Sequence, residues 1–109
     1  MPSYLLLYRG PQSDAMSAPP DQQKAINAAW TTYFGKHGPA IKDGGNPTIA
    51  RGNVANGGKS GSAADVNGYS IIEAKDLAAA KAIVTGGHPH LRDAKNSIDI
   101  LEITPVPGM

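Results

Sequence analysis

Gly68-Tyr69-Ser70-Ile71-Ile72-Glu73-Ala74 runs through Lys75 into Asp76-Leu77-Ala78-Ala79-Ala80-Lys81-Ala82-Ile83-Val84, and the change of rhythm between the two stretches decides the fold. The first is aromatic and β-branched, begins at a glycine, and reads as a strand. Side chains alternate across a strand, so Ile71 and Ile72 point to opposite faces and both faces are apolar. The second is rich in alanine, the residue that enters a helix at least cost. Its apolar residues Leu77, Ala80, Ile83 and Val84 recur at helical spacing. Asp76 stands where an N-cap carboxylate is expected, and Gly86-Gly87 where a helix stops, because glycine accepts the left-handed conformation. A strand feeding a helix within one short segment is half of a βαβ unit.

Upstream, Ser3-Tyr4-Leu5-Leu6-Leu7-Tyr8 is a second apolar run, halted by Arg9-Gly10-Pro11, and reads as the first strand. Residues 10–20 are proline-rich and read as loop. Asp21 is the expected N-cap of a first helix that begins at Gln22. Along it Ile26, Trp30 and Phe34 form one row and Ala29, Tyr33 and His37 the next, giving one apolar face. The helix is expected to weaken at Gly35 and Gly38-Pro39, with a further turn through Ile41. Asp43-Gly44-Gly45-Asn46-Pro47 carries turn chemistry, and residues 48–51 are expected to be a short second strand. Residues 52–67, rich in glycine, read as a long hairpin loop with strand extensions at Val54 and Val66. Beyond the second helix, His88-Pro89-His90-Leu91 reads as a turn and residues 97–104 as the last strand, stopped by Pro105 and Pro107.

The order is strand, helix, strand, strand, helix, strand. This predicts an α+β domain over residues 1–109, a ferredoxin-like βαββαβ sandwich. Two helices cover one sheet face. The other face, apolar in its central strands, calls for a second cover, and the expectation is a homodimer through that open face.

Composition narrows the function. The 109 residues suffice for one domain. Lys+Arg 10 against Asp+Glu 9 gives a net charge of +1, with no basic stripe, and aromatic residues are 6%, so a nucleic-acid surface is not expected. No cysteine is present, which removes thiol nucleophiles and thiolate metal sites. No stretch has the length of a membrane span and no targeting segment stands out, so a cytoplasmic location is expected.

The runs Tyr4-Leu5-Leu6-Leu7-Tyr8, Asp43-Gly44-Gly45-Asn46-Pro47, the strand from Gly68 with its alanine-rich helix, and His88-Pro89-His90-Leu91 before Ser97-Ile98-Asp99-Ile100-Leu101-Glu102-Ile103-Thr104-Pro105 together resemble YCII-related proteins. The resemblance spans nearly the whole chain. It implies a dimeric α/β-barrel, two ferredoxin-like sheets packed face to face, and a bacterial source. Some members carry a His and Asp pair proposed to be catalytic. Here the corresponding histidine position falls near Asn27. The Asp-Gly-Pro-Phe motif of another branch is replaced by Lys59-Ser60-Gly61-Ser62.

Several residues can carry chemistry. His37 lies on the apolar row below Tyr33, and Asp43 follows the glycine-proline break. Folded back on one another they would make an acid-base pair; the plainer alternative is a histidine closing the helix C-terminus. His88 and His90 flank Pro89, with Asp93 nearby, but zinc needs three or four protein ligands, and the plainer reading is a turn whose Leu91 plugs the core. No metal or cofactor is expected. Arg9 and Arg51 have the planar fork that holds a carboxylate or phosphate; the plainer reading is a solvated surface group. Trp30, Tyr33, Phe34 and Tyr69, with Arg9 and His88, are the candidate lining of a ligand pocket between the first helix and the sheet. Gly57-Gly58-Lys59-Ser60 is not a phosphate loop, because Asn53 stands where the motif needs its first glycine. Two functions follow: a dimeric small-molecule-binding or accessory module, or a small cofactor-free enzyme (isomerase, lyase or oxygenase) using a His/Asp pair.

Overall fold

The computed structural model describes residues 1–11 and 19–108. Six strands and two α-helices are present among them: β1 Ser3–Arg9, α1 Pro20–His37, β2 Ile41–Asp43, β3 Asn53–Val54, β4 Ser60–Gly61, β5 Val66–Glu73, α2 Leu77–Thr85 and β6 Ser97–Ile103. Four of the strands form one sheet in the order β2-β5-β1-β6, with every neighbouring pair antiparallel. This mixed α+β arrangement is compatible with a ferredoxin-like fold. No helix is long and apolar enough to cross a membrane among the described residues.

The core follows from strand alternation. Tyr4, Leu6 and Tyr8 of β1 and Ser70 and Ile72 of β5 are all buried and face the helices. Ala80 and Val84 of α2 are buried in the same cluster, and Trp30 of α1 packs against it. Leu6 and Ile72 are each only 1% exposed. Fully burying side chains of this size contributes about 1.5–3 kcal/mol apiece. The alternate residues on the other face do not join this cluster: Leu5, Leu7 and Ile71 are half-buried, and Leu101 and Ile103 are 44% and 46% exposed.

The two helices start differently. In α2 the Asp76 carboxylate accepts the Ala79 N–H at 2.8 Å, the capping that the sequence predicts. Gly86 and then Gly87, at φ +89°, end it. In α1 the expected cap at Asp21 is not formed. The helix starts two residues earlier than expected, at Pro20, with Pro19 in the cap position and no side-chain cap. Proline's fixed φ suits the first helical position, which leaves Asp21 inside the first turn, where its charge suits the positive helix end. The helix runs unbroken through Gly35 to His37, and a 3-10 turn, Gly38–Ala40, then leads into β2.

The second strand of the sheet is corrected. It is Ile41–Asp43, not residues 48–51, and Arg51 lies outside any strand. The reason lies in Gly44-Gly45. Asp43 accepts the Gly45 N–H at 2.8 Å, and Gly45 sits at φ +73°. This deflects the chain locally without reversing it. The segment then continues along β5, through the Tyr69 N–H to Asn46 carbonyl bond (3.3 Å), the Pro47–Gly68 bridge and the Thr48 N–H to Asn67 carbonyl bond (2.9 Å). What reads as a turn is therefore an irregular edge.

The glycine-rich connection contains its own two-stranded hairpin, β3-β4. Val54 belongs to that hairpin, whereas Val66 does begin β5. Of the loop expected at residues 10–20, positions 12–18 lie outside the described residues.

Candidate functional site

Aromatic and histidine side chains meet at one end of the sheet. Tyr8 closes the inner face of β1, two positions diagonal to Ser70 in the register that pairs Leu6 with Ser70 and Tyr8 with Gly68. His88, just after α2, is 2% exposed, and its ring lies edge-on to Tyr8 and Trp30 with centroids 4.9 Å away in each case.

Hydrogen-bond directions there are fixed by elimination. The His90 N–H donates to Nδ1 of His88 at 3.2 Å, so the His88 proton sits on Nε2. A carbonyl only accepts, so the Ser70 hydroxyl donates to Gly44 O at 2.7 Å. The Tyr8 hydroxyl, in a short contact with Ser70 Oγ, must then donate to it, and in turn accepts from His88 Nε2 at 3.3 Å. One chain thus runs His88 to Tyr8 to Ser70 to Gly44, each group donating onward. Burial, reinforced by the neighbouring His90 and His37, pushes the His88 imidazole down to about 4, which keeps it neutral as this chain requires. Burial raises the Tyr8 phenol, which keeps the proton that it donates to Ser70.

Beside this chain lies an open cleft of about 1000 Å³. Its apolar lining includes Tyr8, Trp30, Phe34 and Tyr69. Trp30 is tilted against Tyr8 at 5.5 Å and against Phe34 at 5.4 Å, and the Phe34 ring packs over Gly44. Further parts of the wall come from α1, from β5, from the 44–49 edge and from the loop after α2, which supplies His90, Arg92, Asp93 and Lys95. A volume of this order holds a small organic molecule.

The sequence-predicted residues fall into three groups. Trp30, Phe34 and Tyr69 line the cleft. Tyr33 and His88 lie beneath it: Tyr33 is buried, donates to Ile83 O at 2.9 Å, and has its phenol pushed up to about 12 by burial first and by Tyr8 second. Arg9 is turned elsewhere, paired with Asp99 at 2.9 Å.

His37 and Asp43 are not brought together. His37, last residue of α1, stacks on Tyr33 at 4.6 Å and donates from Nε2 to Gly86 O at 3.3 Å, while the exposed Asp43 accepts the Gly45 N–H. Its contacts tie the end of α1 to the end of α2.

The histidine turn is a 3-10 segment, Pro89–Arg92. The buried plug there is His88, whereas Leu91 is 37% exposed. His90 donates from Nε2 to Arg9 O at 2.9 Å. Among the described residues, no three His, Cys, Asp or Glu gather in a way that would hold a metal ion.

Tyr8, Ser70 and Gly44 are the members that sequence reasoning passes over. One signal for Ser70 exists: a lone hydroxyl in phase with Ile72 on the inner face of an apolar strand must find a partner. Comparison with protein-family models gives no match, and comparison with curated proteins gives no significant one.

Proposed function

We propose that the protein is a small-molecule-binding module of the YCII-related kind, working in the cytoplasm as a homodimer joined through the open sheet face, with its ligand in the cleft beside Trp30. The observation that carries the binding role is the cleft itself: about 1000 Å³, with Tyr8, Trp30, Phe34 and Tyr69 in its wall together with polar and charged groups. Apolar clefts with a few convergent polar groups are where small ligands bind. The dimer draws support from Leu5, Leu7, Ile71, Leu101 and Ile103, an apolar row on the face away from the helices. The strand order β2-β5-β1-β6 supports the ferredoxin-like reading. The binding reading takes precedence over the enzymatic one because His37 and Asp43 bond to separate backbone groups.

Trp30 is the only tryptophan of the chain and lines the cleft, so its emission reports on occupancy. Titration with small aromatic compounds is expected to change Trp30 fluorescence saturably. Phe34→Ala is expected to weaken that response about tenfold, the loss of one well-packed aromatic contact. A set of such compounds that leaves both emission and melting temperature unchanged removes the binding role.

A further inference from the structure

The cleft has a chemical polarity that its volume alone does not convey. Aromatic rings form part of its wall: Trp30 and Phe34 from α1 and Tyr8 from β1. The loop after α2 forms another part, and its charged members in the cleft wall are Arg92, Asp93 and Lys95. Asp93 Oδ1 accepts the Lys95 backbone N–H at 2.9 Å, a bond that leaves the carboxylate its charge. Arg92 and Lys95 form no ion pair among the described residues, where the pairs are Arg9 with Asp99 and Lys42 with Glu73. Two cations against one carboxylate leave this part of the cleft wall with a net positive charge.

That loop is also braced. The Asn96 side-chain amide donates to His90 O at 3.0 Å, and the Asn96 N–H donates to Asp93 O at 3.1 Å. At its base, His90 Nε2 is tied to Arg9 O, and His88 is locked in the buried chain. The backbone that carries the two cations is thus held in place by the fold, which lowers the cost of ordering the loop when an anion arrives.

We infer that the cleft takes a flat aromatic carboxylate, with its ring against Trp30, Phe34 and Tyr8 and its carboxylate held by Arg92 and Lys95. Arginine's planar fork matches a carboxylate with two parallel N–H···O bonds, and lysine adds a point charge. A ring alone would leave the cationic wall unanswered, and a fully polar anion would leave the rings wet. This inference rests on the binding role proposed for the cleft.

The test compares 2-naphthoate with its neutral partner 2-naphthamide by isothermal titration calorimetry at low ionic strength, on the full chain and on an Arg92→Gln/Lys95→Gln variant. Both substitutions lie on an exposed loop, and circular dichroism verifies that the variant is folded. The full chain is expected to bind the carboxylate about tenfold more tightly than the amide, a preference that shrinks with added salt. The variant is expected to lose that preference while keeping its affinity for the amide. Equal affinity for the two probes overturns the carboxylate assignment and leaves the cleft as a binding site. A preference that survives in the variant overturns the role of Arg92 and Lys95. Failure of both probes to bind overturns the inference together with the binding role beneath it.

Discussion

His88 shows how one side chain can set the conditions under which the molecule holds together. Its imidazole is neutral in the fold because burial lowers it to about 4, against 6.5 for an unperturbed histidine. Between those values the unfolded chain takes up a proton that the folded chain refuses. The His88 contribution is therefore complete above pH 6.5 and is lost as pH falls towards 4, by up to about 3 kcal/mol. Urea unfolding measured from pH 7 to pH 4 is expected to show this slope, and His88→Gln is expected to flatten it. A wild-type midpoint that does not move across the window removes the account of His88. Tyr8→Phe bears on the same chain: it strands the His88 N–H and the Ser70 oxygen while sparing the ring, at a cost of about 2 kcal/mol.

Among the elements, the β2 edge is the one that shapes the cleft. Gly45 takes φ +73°, a region that side-chain-bearing residues rarely adopt, and a Cβ there would collide with the Tyr69 carbonyl. The deflection carries Gly44 under Phe34, so that its carbonyl ends the buried hydrogen-bond chain and its backbone lines the cleft. Gly45→Ala is expected to cost about 3 kcal/mol, through both strain and contact, and to weaken ligand binding as well. Gly57→Ala, also at positive φ but with open space around it, is expected to cost about 1 kcal/mol and to leave binding untouched. Thermal melts and the Trp30 titration, run on both variants, separate the two effects. A Gly45→Ala protein that melts and binds as the wild type does would show that the edge is not set by this residue.

At the scale of the whole molecule, the sheet is finished on one side and open on the other. The helix side buries Leu6 and Ile72 almost completely, while Leu101 and Ile103 on the opposite side remain close to half exposed. Apolar surface of this kind is characteristic of an interface. Light scattering on the purified protein is expected to give twice the mass of the chain. Leu101→Lys is expected to give the monomer mass with little change in melting of the monomer fold, because the site is exposed within one subunit. A wild-type protein that stays monomeric at high micromolar concentration ends the dimer proposal.

Local physics explains what the sequence by itself determined. The alternation in β1 and β5, the alanine-rich α2 with its Asp76 cap, the two apolar rows of α1 and the final strand all depend on residues close together in the chain. Tertiary structure alone decided the rest. Whether Asp43-Gly44-Gly45 reverses the chain or bends an edge depends on β5, which lies more than twenty residues later and offers its backbone as a partner. Whether His37 meets Asp43 depends on α2, whose Gly86 carbonyl takes the imidazole instead. The line from His88 through Tyr8 and Ser70 to Gly44 joins four distant parts of the chain, and no spacing in the sequence encodes it. Hydrophobic periodicity is a property of neighbours, whereas the satisfaction of a buried polar group is settled by whichever partner the completed fold brings within reach.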